Sequence, residues 1–183
     1  MCSSDLPEQV RTALQPEVGT PLARLDRGDL ADRVEALPLV ATAEVLPSWP
    51  DGLEVRVVER RPVAVIARTG RFTLVDGEGQ RLMDVPEAPG DLPELTRSTE
   101  RAGDRAVGAA VAVLEQMPPE LRSQVATTEA RTADSVTLTL RSGQAVVWGG
   151  AGQSQEKAEV LAVLLTQEAE VYDVSAPKTP VLR

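Results

Sequence analysis

Ser154-Gln-Glu-Lys157 is the one spacing in this chain that could make and break a covalent bond. A serine followed one helical turn later by a lysine is the pattern penicillin-binding-type acyl-enzymes use, the lysine drawing the proton from the serine hydroxyl. That chemistry also needs a Ser-Asp-Asn loop and a Lys-Thr-Gly strand. Here Lys178-Thr179 runs into Pro180, no Ser-Asp-Asn occurs, and the stretch between is too short for the helical domain of such enzymes. A remnant serine acyl-enzyme using Ser154 and Lys157 is therefore the alternative reading. The simpler one is a first helical turn with a solvated lysine. Gly149-Gly-Ala-Gly152, just before this helix, could offer backbone amides to an anion, but it has neither Walker nor dinucleotide spacing and reads as a strand-to-helix turn. Asp76-Gly-Glu-Gly79 lacks the later liganding glutamate of a calcium loop and reads as a hairpin turn.

Composition narrows the chemistry further. The chain has no histidine, which removes the usual neutral-pH base and the commonest metal ligand. A lone Cys2 allows neither an internal disulfide nor a thiolate cluster. Nothing here calls for a cofactor or metal. A net charge of −9, with Lys157 and Lys178 the only lysines and no basic cluster, argues against a nucleic-acid surface. No apolar run is long enough to span a membrane, and the 42% hydrophobic content suits a soluble, packed core. The opening Met1-Cys-Ser-Ser-Asp-Leu6 resembles translated adapter sequence, which predicts a native start further upstream.

The elements that must position these residues follow from periodicity. Pro7–Leu14 predicts a short helix, and Asp26–Leu37 a better one, with Leu30, Val34 and Leu37 on one face and Pro38 closing it. Val40–Leu46 alternates weakly as a strand. After Pro50-Asp51-Gly52, Leu53, Val55 and Val57 alternate with Glu54, Arg56 and Val58 as its hairpin partner. Pro62 cannot donate to a ladder, so it starts a new strand, and Glu59, Arg60, Arg61 and Pro62 form a hinge between two domains, 7–61 and 62–183.

Beyond the hinge, 63–68, 72–75 and 81–85 predict an antiparallel meander, and the proline-rich 86–93 a loop. An amphipathic helix over 104–117 stops at Pro118-Pro119. Strands at 125–130, 135–140 and 144–148 should continue the same sheet. A helix over 154–168 and strands at 170–174 and 179–182 complete the chain. Trp49 and Trp148 read as core or rim packing. The expected class is α+β: a small domain of two helices on a short sheet, then a mixed, mainly antiparallel β-domain with two helices.

The series Leu37-Pro-Leu-Val40, Ala43, Trp49-Pro50, Leu53, Val55, Val57, Glu59-Arg-Arg-Pro-Val-Ala64, Leu74-Val-Asp76 and Gly79, with Leu92-Pro-Glu-Leu95, Lys157 and Tyr172-Asp-Val-Ser175 later, resembles the extracytoplasmic part of the FtsQ/DivIB bacterial cell-division proteins, actinobacterial branch. The resemblance implies a POTRA domain in 7–61, its usual first strand not evident, and an FtsQ-type β-domain in 62–183. It implies a cytoplasmic tail and one membrane anchor upstream, and a place at the division septum. It also implies a non-catalytic scaffold that binds FtsB- and FtsL-like partners and so recruits septal peptidoglycan synthesis, with the POTRA domain open to other septal proteins. In the family, FtsB adds a strand to an edge late in the β-domain. Carried onto this chain, that edge is Lys178, Thr179, Val181, Leu182 and Arg183, supported by Tyr172 and Val174. POTRA domains also serve as chaperones in outer-membrane assembly, but as arrays before a barrel, and neither pattern occurs here.

Overall fold

Asp26 is followed by an acidic, apolar-striped segment, and its carboxylate accepts hydrogen bonds from the backbone N–H of Gly28 (2.9 Å) and Asp29 (3.4 Å), satisfying donors that a helix start leaves bare. In the computed structural model, which describes residues 6–15, 19–97 and 104–183, this cap opens helix α2 (Arg27–Glu35). Cys2 lies outside the described residues. The chain divides into two compact units, Met1–Arg61 and Pro62–Arg183.

In the first unit α1 (Leu6–Leu14) and α2 pack with a hairpin of β1 (Val40–Ser48) and β2 (Gly52–Glu59). Leu6, Val10, Val34 and Val40 form its core, with Leu14, Leu37, Ala43, Val55 and Val57 against them. The two strand edges differ chemically. Ala43 N–H donates to the Glu35 carboxylate at 2.8 Å, so it faces away from β2. Strand alternation puts Pro47, which has no N–H, on that same outward side, so the β1 edge is largely closed to a further strand. By the same register Leu53, Val55 and Val57 turn their amides to the outer side of β2, where an open groove is lined by Leu6, Val10, Leu14, Leu22 and Leu25. Trp49 departs from expectation: in the turn between β1 and β2 it is 77% exposed.

The second unit is built on one nine-stranded sheet in the order β11-β10-β9-β8-β7-β6-β3-β4-β5. Its strands are β3 (Pro62–Arg68), β4 (Arg71–Asp76), β5 (Arg81–Val85), β6 (Glu94–Arg97), β7 (Val125–Thr132), β8 (Ser135–Leu140), β9 (Ala145–Gly149), β10 (Val171–Asp173) and β11 (Val181–Leu182). The meander β3–β4–β5 and the run β7–β8–β9 are antiparallel as expected. The 76–79 turn is a hairpin turn, with Asp76 Oδ1 accepting from the N–H groups of Glu78 (3.0 Å) and Gln80 (2.8 Å).

Three features differ from the reading of the sequence. β6, just past the expected 86–93 loop, has no strand pattern in the sequence, yet it joins the two antiparallel blocks by running parallel to both β3 and β7. Its single buried apolar side chain, Leu95, leaves no alternation to detect. Pro119 does not merely stop α3 (Asp104–Gln116); it takes the first-turn position of a one-turn helix α4 (Pro119–Arg122), which among the described residues of this unit adds a short helix to the two expected. Helix α5 (Ser154–Leu164) ends earlier than 168. Helix α3 packs across β3, β6, β7 and β8 and touches α5. Trp148, Tyr172, Leu114, Leu138 and Leu161 are the largest side chains buried in this core, each contributing roughly 1.5–3 kcal/mol of apolar burial.

Candidate functional site

The sheet ends at β11, and the hydrogen bonds beside it say which of its groups are spoken for. Val171 and Arg183 exchange two bonds, Arg183 N–H to Val171 O at 3.0 Å and Val171 N–H to Arg183 O at 2.9 Å. Bonded and non-bonded pairs alternate in an antiparallel ladder, so with Tyr172 opposite Leu182 and Asp173 opposite Val181, the next exchanging pair is Asp173 with Val181. Leu182 lies between them. Its N–H and C=O therefore point away from β10, toward the side of β11 that carries no strand among the described residues.

The seven residues expected to meet a partner fall into two groups. Lys178, Thr179 and Arg183 are exposed, Val181 is 43% exposed, and Leu182 is half-buried against the core. Tyr172 and Val174 are buried at 1% and 0%, with the Tyr172 hydroxyl donating to Gln167 O at 2.7 Å. β10 is also occupied on both edges, by β9 and β11, so these two residues hold the edge from behind. Of the four expected hinge residues, Glu59 closes β2 opposite Val40. Arg60 bonds back within its own unit, its N–H to Leu39 O at 2.9 Å and its Nε to Val40 O at 3.0 Å. Arg61 is exposed, and Pro62 opens β3 opposite Asp76.

The Ser154–Lys157 pair is not assembled for acyl transfer. Ser154 is 2% exposed and its hydroxyl donates to Ala151 O at 2.8 Å. Lys157 is not solvated as expected but 3% exposed, with Nζ donating to Trp148 O (3.0 Å) and Gly150 O (2.8 Å). A nucleophile must be reached by substrate and must share its proton with the base, and this serine does neither. Burial holds the lysine below its ordinary pKa. The two carbonyls it binds flank Gly149, whose φ of +77° suits glycine, and a Cβ there would lie 3.1 Å from Ser175 Cβ. Ser175 in turn is held by Asp173, whose carboxylate accepts from Ser175 N–H (3.0 Å) and Oγ (2.6 Å). Sequence reading missed this connection because it pairs residues far apart in the chain. The Gly149-Gly150 doublet before a helix, and the Lys157 and Tyr172-Asp-Val-Ser175 parts of the resemblance, were signals of it.

Two helices packed on a hairpin, followed by a mixed sheet whose last strand has no outer neighbour among the described residues, are the arrangement of a POTRA-plus-β-domain protein. Comparison with known proteins agrees: residues 6–60 match the POTRA domain, FtsQ-type, and residues 64–176 match the C-terminal domain of cell division protein FtsQ/DivIB. The chain belongs to the FtsQ/DivIB family of bacterial cell-division proteins. It is 39% identical over 184 residues to cell division protein FtsQ of Streptomyces bingchenggensis, covering 95% of this chain and 69% of that one. It is 40% identical over 176 residues to FtsQ of Mycolicibacterium smegmatis, covering 96% of this chain and 53% of the relative. The chain thus spans between half and about two thirds of these relatives. The major extracytoplasmic domain of DivIB from Geobacillus stearothermophilus aligns over 61% of this chain and 98% of its own, at 20% identity and a TM-score of 0.45. The family match ends at residue 176, so β11 lies just past it. Among the described residues no helix is long and apolar enough to cross a membrane.

Proposed function

We propose that this chain is the extracytoplasmic part of a non-catalytic divisome scaffold, acting at the membrane face of the division septum, and that it captures an FtsB-like partner by accepting a strand onto the outer edge of β11. The observation that carries this reading is the outward-facing Leu182 N–H and C=O on the terminal strand, beside exposed Lys178, Thr179, Val181 and Arg183. An incoming strand gains affinity from such backbone groups and specificity from alternate side chains. An FtsL-like protein joins through the same partner, and the assembly recruits septal peptidoglycan synthesis. Residues 59–62 serve as the hinge between a POTRA domain at 7–61 and the β-domain at 62–183, and the POTRA domain serves other septal proteins.

The test is binding of a peptide spanning the strand-forming segment of an FtsB-like protein, measured by calorimetry. Leu182→Pro removes the outward donor and should weaken binding about tenfold or more, whereas Leu182→Ala, which keeps the amide, should weaken it less. Equal affinity of wild type and Leu182→Pro would overturn the edge assignment.

A further inference from the structure

We propose that Lys157 is a positioning residue for the β10–β11 edge, acting as a buried clamp on the Trp148–Gly150 turn that seats the strand pair. This rests on the edge reading above for its functional consequence, though the clamp can be measured without any partner.

Lys157, like Ser154, is buried, and acyl transfer uses neither. Among the described residues no carboxylate lies within ion-pair distance of it. Burying an ammonium with carbonyls as its only partners is costly, and an apolar side chain of similar length would fill the same space without that cost. What an apolar side chain cannot supply is two donors. Those donors go to the carbonyls on either side of Gly149, the one residue of the turn in the left-handed region. Without them both carbonyls lose a partner beneath α5.

From Gly149 the contacts lead directly to the edge. Ser175 packs where a Gly149 side chain would stand, and the Asp173 carboxylate fixes Ser175 by two hydrogen bonds. Val174 N–H donates to Val147 O at 3.0 Å, tying the end of β10 to the strand that enters the turn. β11 has only two residues and its only strand neighbour among those described is β10, so its placement is inherited from this turn. A neutral lysine still carries two N–H groups, enough for both carbonyls, so the clamp does not depend on the charge.

The experiment is amide hydrogen exchange on the whole chain, wild type against Lys157→Met, with peptide affinity as a second readout. The clamp predicts that protection at Val171, Val174, Val181 and Arg183 falls by about tenfold or more while amides of β3–β8 stay within about twofold. Unchanged protection in β10 and β11, or an equal loss across the whole sheet, would overturn it. Should Lys157→Met fail to fold, Gly149→Ala presses on the same turn with the lysine intact, and the same local pattern is required. If the clamp pattern appears but wild type binds no peptide, the edge reading fails and the clamp stands.

Discussion

At Leu182 and Lys157 the role of the residue is set by which hydrogen-bond partners its donors meet. In sequence, Val181 looks like the centre of the last strand, and a proline there suggests itself as the disruptive change. The register reverses this: the backbone groups of Val181 face β10 and those of Leu182 face outward, so Val181→Pro would unseat β11, while Leu182→Pro keeps the ladder bonds to β10 and removes the outward donor together with the half-buried leucine side chain, a loss that Leu182→Ala measures separately. Lys157 gives a pH prediction. Burial lowers its pKa in the folded chain, so between the folded and unfolded values the unfolded chain binds the proton more tightly and protonation opposes folding. Stability of wild type relative to Lys157→Met should therefore rise as pH climbs toward the ordinary lysine value of about 10.4, read from urea midpoints in an alkaline series. A flat difference would mean that burial does not shift this group.

At the scale of elements, turns govern placement more than strands do. Gly70 (φ +74°) and Gly149 (φ +77°) share a left-handed backbone, but a Cβ at Gly70 would meet nothing within 4 Å, whereas one at Gly149 would meet Ser175 at 3.1 Å. Gly70→Ala should thus cost only the left-handed strain, about 1–2 kcal/mol. Gly149→Ala should cost about 1–3 kcal/mol more for the added crowding, and denaturant unfolding of the two variants measures the difference. Helices α2 and α3 and the antiparallel strands were legible because an apolar stripe of period 3.6 or 2 marks them. Strand β6 was not, since four residues with one buried leucine carry no period and its place is set by the neighbours β3 and β7. Helix α5 stops at Leu164, where the polar run Thr166-Gln167-Glu168 follows Leu165 and the chain tightens, Thr166 N–H donating to Val163 O (3.2 Å) and Gln167 N–H to Leu164 O (2.9 Å).

For the whole molecule, the contact boundary at Arg61/Pro62 and a core in each unit suggest separate folding. Residues 62–183 expressed alone should give a cooperative unfolding transition and keep the peptide affinity of the full chain, as seen by circular dichroism and calorimetry; loss of either would show that the first unit is needed. The sequence by itself determined the α+β class, most helices and hairpins, the lack of histidine chemistry and the family resemblance, because these depend on local periodicity, composition and ordered motifs. The family resemblance put the candidate edge at the last strand. Only the tertiary structure decided that Tyr172 and Val174 lie behind that edge, that the backbone groups of Leu182 rather than those of Val181 face outward, and that Ser154 and Lys157 hold a turn. Those outcomes depend on which carbonyls and strands lie next to each residue, and the partners come from parts of the chain that only folding brings together.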